Sequence, residues 1–303
     1  MAKQSKSTSI FKLKLINALL WLVSKLSFEK VRKLGGFFGW LAYKVNSRSV
    51  KVSGKNIELC FPELSAVQQK SLLKQSCIHS GMVFLESCWI WQASNEKVSE
   101  LIVSVEGQSH LEKAIENGKG VILTGPHLGN WEALLAWGGM NLKASCMYRR
   151  PKIAELDPLI QQARSKSGVE LIIGERSSVR KMLKTLKQGD CFLLLSDQNP
   201  AANAGVFAPF FHHPAYTMVL IQRLINKTGS ELLFFHAERV EGGFKVHIKP
   251  AGFATEDLST EQFAGLLNQQ LAEQIKRCPE QFEWSYRRFR PVPEGYSHVY
   301  LDL

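Results

Sequence analysis

Residues 191–198 read CFLLLSDQ, the clearest buried strand in the chain: an unbroken apolar run that closes on a polar pair. Working outward, the same pattern recurs upstream in GVILTG at 120–125, bounded by glycines, and in LIIG at 171–174. Residues 102–105, 141–147, 232–237 and 244–248 read as further strands. Between them, residues 65–91, 110–117, 132–140, 156–167, 177–186, 217–227 and 260–278 carry helical spacing, with Gly118 and Gly189 as C-terminal stops. Strands alternating with helices predict an α/β fold, a single domain with a central mixed β-sheet flanked by helices. There is no internal repeat and no low-complexity linker.

The chain has 303 residues, 45% hydrophobic and 21% charged, a globular balance that excludes a polytopic membrane protein. Its net charge of +11 is localised. Residues 1–55 hold twelve Lys or Arg and one acid, Glu29, which is 12 − 1 = +11; the other 248 residues hold 26 basic and 26 acidic side chains. The same segment is very apolar, but its longest uninterrupted run, residues 18–23, is far short of the ~20 residues a spanning helix needs. Lys3, Lys6, Lys12 and Lys14 precede that run, and Lys25, Lys30, Arg32 and Lys33 follow it. Charges on both flanks predict an N-terminal membrane-associated helical segment lying in an anionic membrane surface. A nucleic-acid arm has no need of Trp21, Phe37, Phe38 and Trp40, so no nucleic-acid partner is expected. The expected organisation is residues 1–55 as a membrane-anchoring helical segment and 56–303 as a second domain.

Cys60, Cys77, Cys88, Cys146, Cys191 and Cys278 are scattered without a CxxC pair, as reduced buried cysteines are. With no HExxH and no ligand cluster, no metal is expected.

Ligands in open α/β sheets gather beyond the carboxyl ends of strands. Three predicted strands end in ionisable groups there: Pro126-His127, Tyr148-Arg149-Arg150 and Asp197-Gln198. In GPHLGNWE, residues 125–132, a helix starting near Asn130 places Glu132 in its first turn, within reach of His127. A carboxylate on one ring nitrogen fixes the tautomer and leaves the other nitrogen to take a proton. The backbone N–H groups of Gly129 and Asn130 are candidate donors to a developing oxyanion. No GxSxG is present, so the histidine would activate a hydroxyl of the substrate. The spacing alone is weak, since Glu132 is equally an ordinary acid at a helix N-terminus.

The match widens beyond one motif. NIELCFPEL at 56–64, GPHLGNWE at 125–132, MYRRPKIAELDPLI at 147–160, LLLSDQNP at 193–200, GVFAPFF at 205–211 and PEQFEWSYRRFRP at 279–291 occur in this order. Together they resemble the late acyltransferases of bacterial lipid A biosynthesis, with their HX4(D/E) motif. The resemblance implies transfer of a fatty acyl chain from acyl carrier protein to a hydroxyl of a glycolipid acceptor. The place would be the cytoplasmic face of a Gram-negative inner membrane, and no cofactor beyond the acyl donor is implied. It implies His127 as base with Glu132 as partner, and Arg149, Arg164 and Asp197 as substrate-positioning or charge-stabilising groups. The doubled arginine, where related sequences more often read YRP, leaves open whether Arg149 or Arg150 faces the site. Residues 284–290 are either a tail docked on the core or a phosphate-binding segment. Alternative acceptors are a lysophospholipid, an ornithine lipid or a polyene-type lipid; a lipid-binding protein with a vestigial dyad is the reading from another class.

Overall fold

Seven strands form the central sheet of the computed structural model, which describes residues 16–151, 153–174 and 178–303. These are β1 (Ile102–Glu106), β2 (Val121–Gly125), β3 (Ala144–Tyr148), β4 (Glu170–Ile173), β5 (Cys191–Leu195), β8 (Glu231–Val240) and β9 (Gly243–Pro250). Their order is β1-β9-β8-β2-β5-β3-β4; only the β8–β9 pair is antiparallel. A separate antiparallel hairpin joins β6 (Gly205–Phe210) to β7 (His213–Met218). The α/β fold with a mixed sheet flanked by helices stands.

All five residues of β2 are buried, with side chains packed into cores on both faces. One core holds α8 (Ser178–Lys187), α9 (Leu220–Thr228) and α10 (Thr260–Arg277), through Met182, Leu186, Ile221, Leu224, Phe263 and Leu267. The other holds α5 (Gln108–Glu116) and α6 (Trp131–Asn141), with α7 (Asp157–Lys166) packed against α6. Burial on both faces is why these strands read as continuous apolar runs. The hairpin was not legible in this way, because Pro209 and Pro214 interrupt it.

The N-terminal part needs a correction. The expected membrane-associated helical segment, an addition beside the domain, is not what forms. The described part of the apolar stretch is broken in two, a helix over 16–24 and then α1 (Phe28–Val45), whose start is capped by Ser27. Among the described residues no helix is long and apolar enough to cross a membrane. Lys3, Lys6, Lys12 and Lys14 lie outside the described residues. After α1 come α2 (Arg48–Cys60), α3 (Ala66–Gln92) and α4 (Asn95–Glu100); the expected boundary between residues 55 and 56 falls inside α2. Helix α1 crosses α3 at backbone contact. A Cβ on Gly35 would lie 2.6 Å from the Gly81 carbonyl oxygen, and one on Gly39 2.1 Å from that of Cys77. Arg32 on α1 donates to Glu86 of α3 at 2.8 Å and to the carbonyls of Val240 and Gly243 at 2.8 and 3.0 Å. The helix is therefore built into the domain.

Candidate active site

Parallel strands β2 and β5 pair with Gly125 opposite Leu195, so two residues further on His127 and Asp197 face one another. Asp197 Oδ1 lies 2.7 Å from His127 Nδ1, and its Oδ2 accepts the His127 backbone N–H at 3.1 Å. The carboxylate thus selects the tautomer with hydrogen on Nδ1 and leaves the Nε2 lone pair free to accept a proton. Gln198 Nε2 is 3.5 Å from that nitrogen. Burial pulls the His127 pKa down, but the charge and hydrogen bond of Asp197 outweigh it, and the pKa is raised above 6.5. Burial likewise pushes Asp197 up, and the imidazole brings it below the ordinary carboxylate value.

The partner expected from sequence, Glu132, is engaged elsewhere. Its carboxylate takes Arg164 Nη2 at 2.6 Å on Oε1 and Arg164 Nε at 3.1 Å on Oε2, with Trp91 Nε1 donating to Oε2 at 3.0 Å. Glu132 starts α6 and Arg164 sits on α7 alongside. The guanidinium also lies over the Tyr148 ring, 5.3 Å from its centroid. Burial pushes Glu132 up; the Arg164 charge and hydrogen bonds outweigh it and hold the carboxyl below its usual value. The site therefore holds two hydrogen-bonded pairs, His127–Asp197 and Glu132–Arg164, each with its carboxylate buried, in place of one His–Glu dyad.

The turn between them is rigid. Gly129 has φ 65°, and a Cβ there would lie 1.7 Å from the Ala237 carbonyl oxygen. Its N–H donates to the Gln281 carbonyl at 3.1 Å, and that of Asn130 to the Ala237 carbonyl at 3.0 Å. Both N–H groups are thus committed to the scaffold, contrary to the oxyanion-donor expectation. The Asn130 side chain caps α6, accepting the N–H groups of Glu132 and Ala133 at 3.0 and 3.1 Å.

This arrangement coincides with a family match over nearly the whole chain: the model for bacterial lipid A biosynthesis acyltransferase matches residues 1–291. The chain belongs to this family. Among its relatives, the lipid A biosynthesis lauroyltransferase of Escherichia coli (strain K12) is 26% identical over 285 residues, covering 93% of this chain and 92% of that one. The lipid A biosynthesis palmitoleoyltransferase of the same organism is 28% identical over 291 residues, again with 93% and 92% covered. A lipid A biosynthesis acyltransferase of Haemophilus influenzae is 28% identical over 278 residues, covering 89% and 87%.

Two residues at the candidate site of this acyltransferase, Glu86 and Trp91, escaped sequence reasoning. Glu86, fully buried on α3, accepts Arg32 and Arg239 and also Asn130 Nδ2 at 3.0 Å, so it holds the cap of α6 from behind. Trp91 lies one and a half turns further along the same helix. The available signal was an acid set in an apolar helical run, FLESCWIW at 84–91.

Arg149 and Arg150 both point to solvent at the end of β3; Arg150 reaches Asp157 at 3.4 Å. Residues 284–290 of the acyltransferase dock on the core. Trp284 is buried, and Arg288 donates to Asn199 Oδ1 and the Tyr216 carbonyl, each at 2.7 Å. Burial brings the Arg288 pKa down to about 10. All six cysteines are free and buried.

Proposed function

We propose that the enzyme moves a fatty acyl chain from the thioester of acyl carrier protein to a hydroxyl of a lipid A precursor, with His127 as general base. The observation that carries this is the imidazole clamped by Asp197 through Nδ1, with Nε2 left to take a proton. The hydroxyl proton passes to Nε2 as its oxygen attacks the thioester carbonyl carbon. The C–S bond then breaks, and the imidazolium returns the proton to the departing thiolate. Asp197 stabilises the imidazolium between these steps. Glu132 serves through Arg164: it spends Nε and Nη2 of the guanidinium and fixes it, so that its positive charge can stabilise the oxyanion. Arg149, exposed at the rim, is assigned to the acceptor's anionic groups.

A lipid acceptor stays in its bilayer. The reading therefore carries with it an anionic membrane surface, and a location on the cytoplasmic face of a Gram-negative inner membrane. The test is acyl transfer by the purified protein from acyl carrier protein to a lipid A precursor, read by mass spectrometry. One acyl mass is gained with the wild-type protein and none with His127→Ala. Transfer at the wild-type rate by that variant would remove the base assignment.

A further inference from the structure

Helices α8 and α9 lie against one another on the face of the sheet that also carries α10. Together they present six cations to solvent: Arg180, Lys181, Lys184 and Lys187 on α8, Arg223 and Lys227 on α9. Neither helix contains an acid. Among the described residues none of the six has an ion-pair partner, whereas Lys33, Lys55, Lys143, Lys245 and Lys249 elsewhere on the surface do. Residues 56–303 are neutral in sum. Six cations on one face, without an ion-pair partner among the described residues, are thus a local excess in an otherwise balanced domain.

Its position relates it to the chemistry. Helix α8 follows β4 and leads into β5, parallel to it through β3, so its N-terminal end lies at the edge of the sheet where His127 and Asp197 stand. Along the order β2-β5-β3-β4 that is three strand spacings, roughly 14 Å at about 4.8 Å each. A thioester on the flexible prosthetic arm of a carrier protein spans such a gap. Exposed Arg149 follows the end of β3, the strand between β5 and β4.

We propose that the α8–α9 face is the docking surface for the acidic carrier protein that delivers the acyl thioester; this rests on the donor assigned above. The chemistry of the face favours an acidic protein over a membrane. Its one large exposed apolar residue is Val179, whereas Phe37, Phe38, Trp40 and Leu41 are exposed on α1, which packs with the opposite core. A cationic patch without apolar neighbours steers an acidic partner and gives up little to salt bridging of its own.

The experiment compares wild-type protein with the double variant Lys181→Glu/Lys184→Glu on one acyl chain carried in two ways, on acyl carrier protein and on uncharged pantetheine. The expected result is a fall of about tenfold or more in kcat/KM for the carrier-linked chain, with a flatter salt dependence. Turnover of the acyl-pantetheine stays unchanged, which also reports that the variant is folded. Lys181→Gln/Lys184→Gln gives an intermediate loss. A variant that uses acyl carrier protein as well as wild type overturns the docking surface alone. Wild-type protein that accepts only the pantetheine thioester overturns the donor assignment, and the surface with it. Loss of binding to phosphatidylglycerol vesicles by the double variant, with carrier kinetics intact, gives the face to the membrane instead and overturns the proposal.

Discussion

Asp197 grips His127 at two points, the ring through Oδ1 and the backbone N–H through Oδ2. The ring is thereby fixed in rotation as well as in tautomer. Because its pKa is raised, protonation is expected to disable the proposed base at a pH higher than for a free imidazole. Activity is therefore expected to fall with decreasing pH through a midpoint above 6.5. In Asp197→Asn the midpoint moves to lower pH and kcat drops about 10²-fold or more. The check is kcat/KM against pH for both proteins; an unmoved acid limb would remove Asp197 from this role.

Arg164→Ala leaves the Glu132 carboxylate buried without its partner. The expected cost is about 3–5 kcal/mol, read as a lower urea midpoint. Glu132→Gln/Arg164→Met, which removes both charges, is expected to restore much of that stability without restoring activity. Recovery of activity in the double variant would show that the pair is only structural.

Glu132 and Asp197 are both held below the ordinary values of 4.5 and 3.8. A depressed carboxyl contributes stability in full above its unfolded value, and loses it as pH falls through the folded value. Tm is thus expected to decline below about pH 4.5. The decline is shallower in Glu132→Gln, as calorimetry from pH 6 to 3 would show.

Gly118 and Gly129 have φ 68° and 65°, yet a Cβ on Gly118 meets nothing within 4 Å. Gly118→Ala carries only backbone strain, about 1 kcal/mol. Gly129→Ala must also displace the β8 backbone, so its loss in thermal stability is expected to be several times larger, with activity abolished.

Asn130→Ala loses the α6 cap, about 1–2 kcal/mol. Asn130→Asp keeps a cap but sets a second carboxylate against buried Glu86, so it is expected to be the less stable of the two at pH 7. Thermal melts rank them directly.

The strands were legible wherever burial on both faces made the apolar runs continuous, as in 121–125 and 191–195. The hairpin was hidden by Pro209 and Pro214, which read as breaks. At the site, the chemical types were legible but not the pairing. Glu132 was matched to His127 because it is five residues away, whereas register across β2 and β5 brings Asp197, seventy residues away, into hydrogen-bond contact. Glu86 stands out as an acid in an apolar helical run, but its pairing is hidden for the same reason: its partners Arg32, Asn130 and Arg239 come from three distant parts of the chain.

The close crossing of α1 over α3 changes what trimming the chain would measure. Cutting away the first 33 residues takes Arg32 with it. Two carbonyls at the β8–β9 turn then lose their donor, and Glu86, which backs the His127 turn through Asn130, loses one of its cations. A shortened protein that stops working has been disarmed from within, whatever has happened to its hold on lipid.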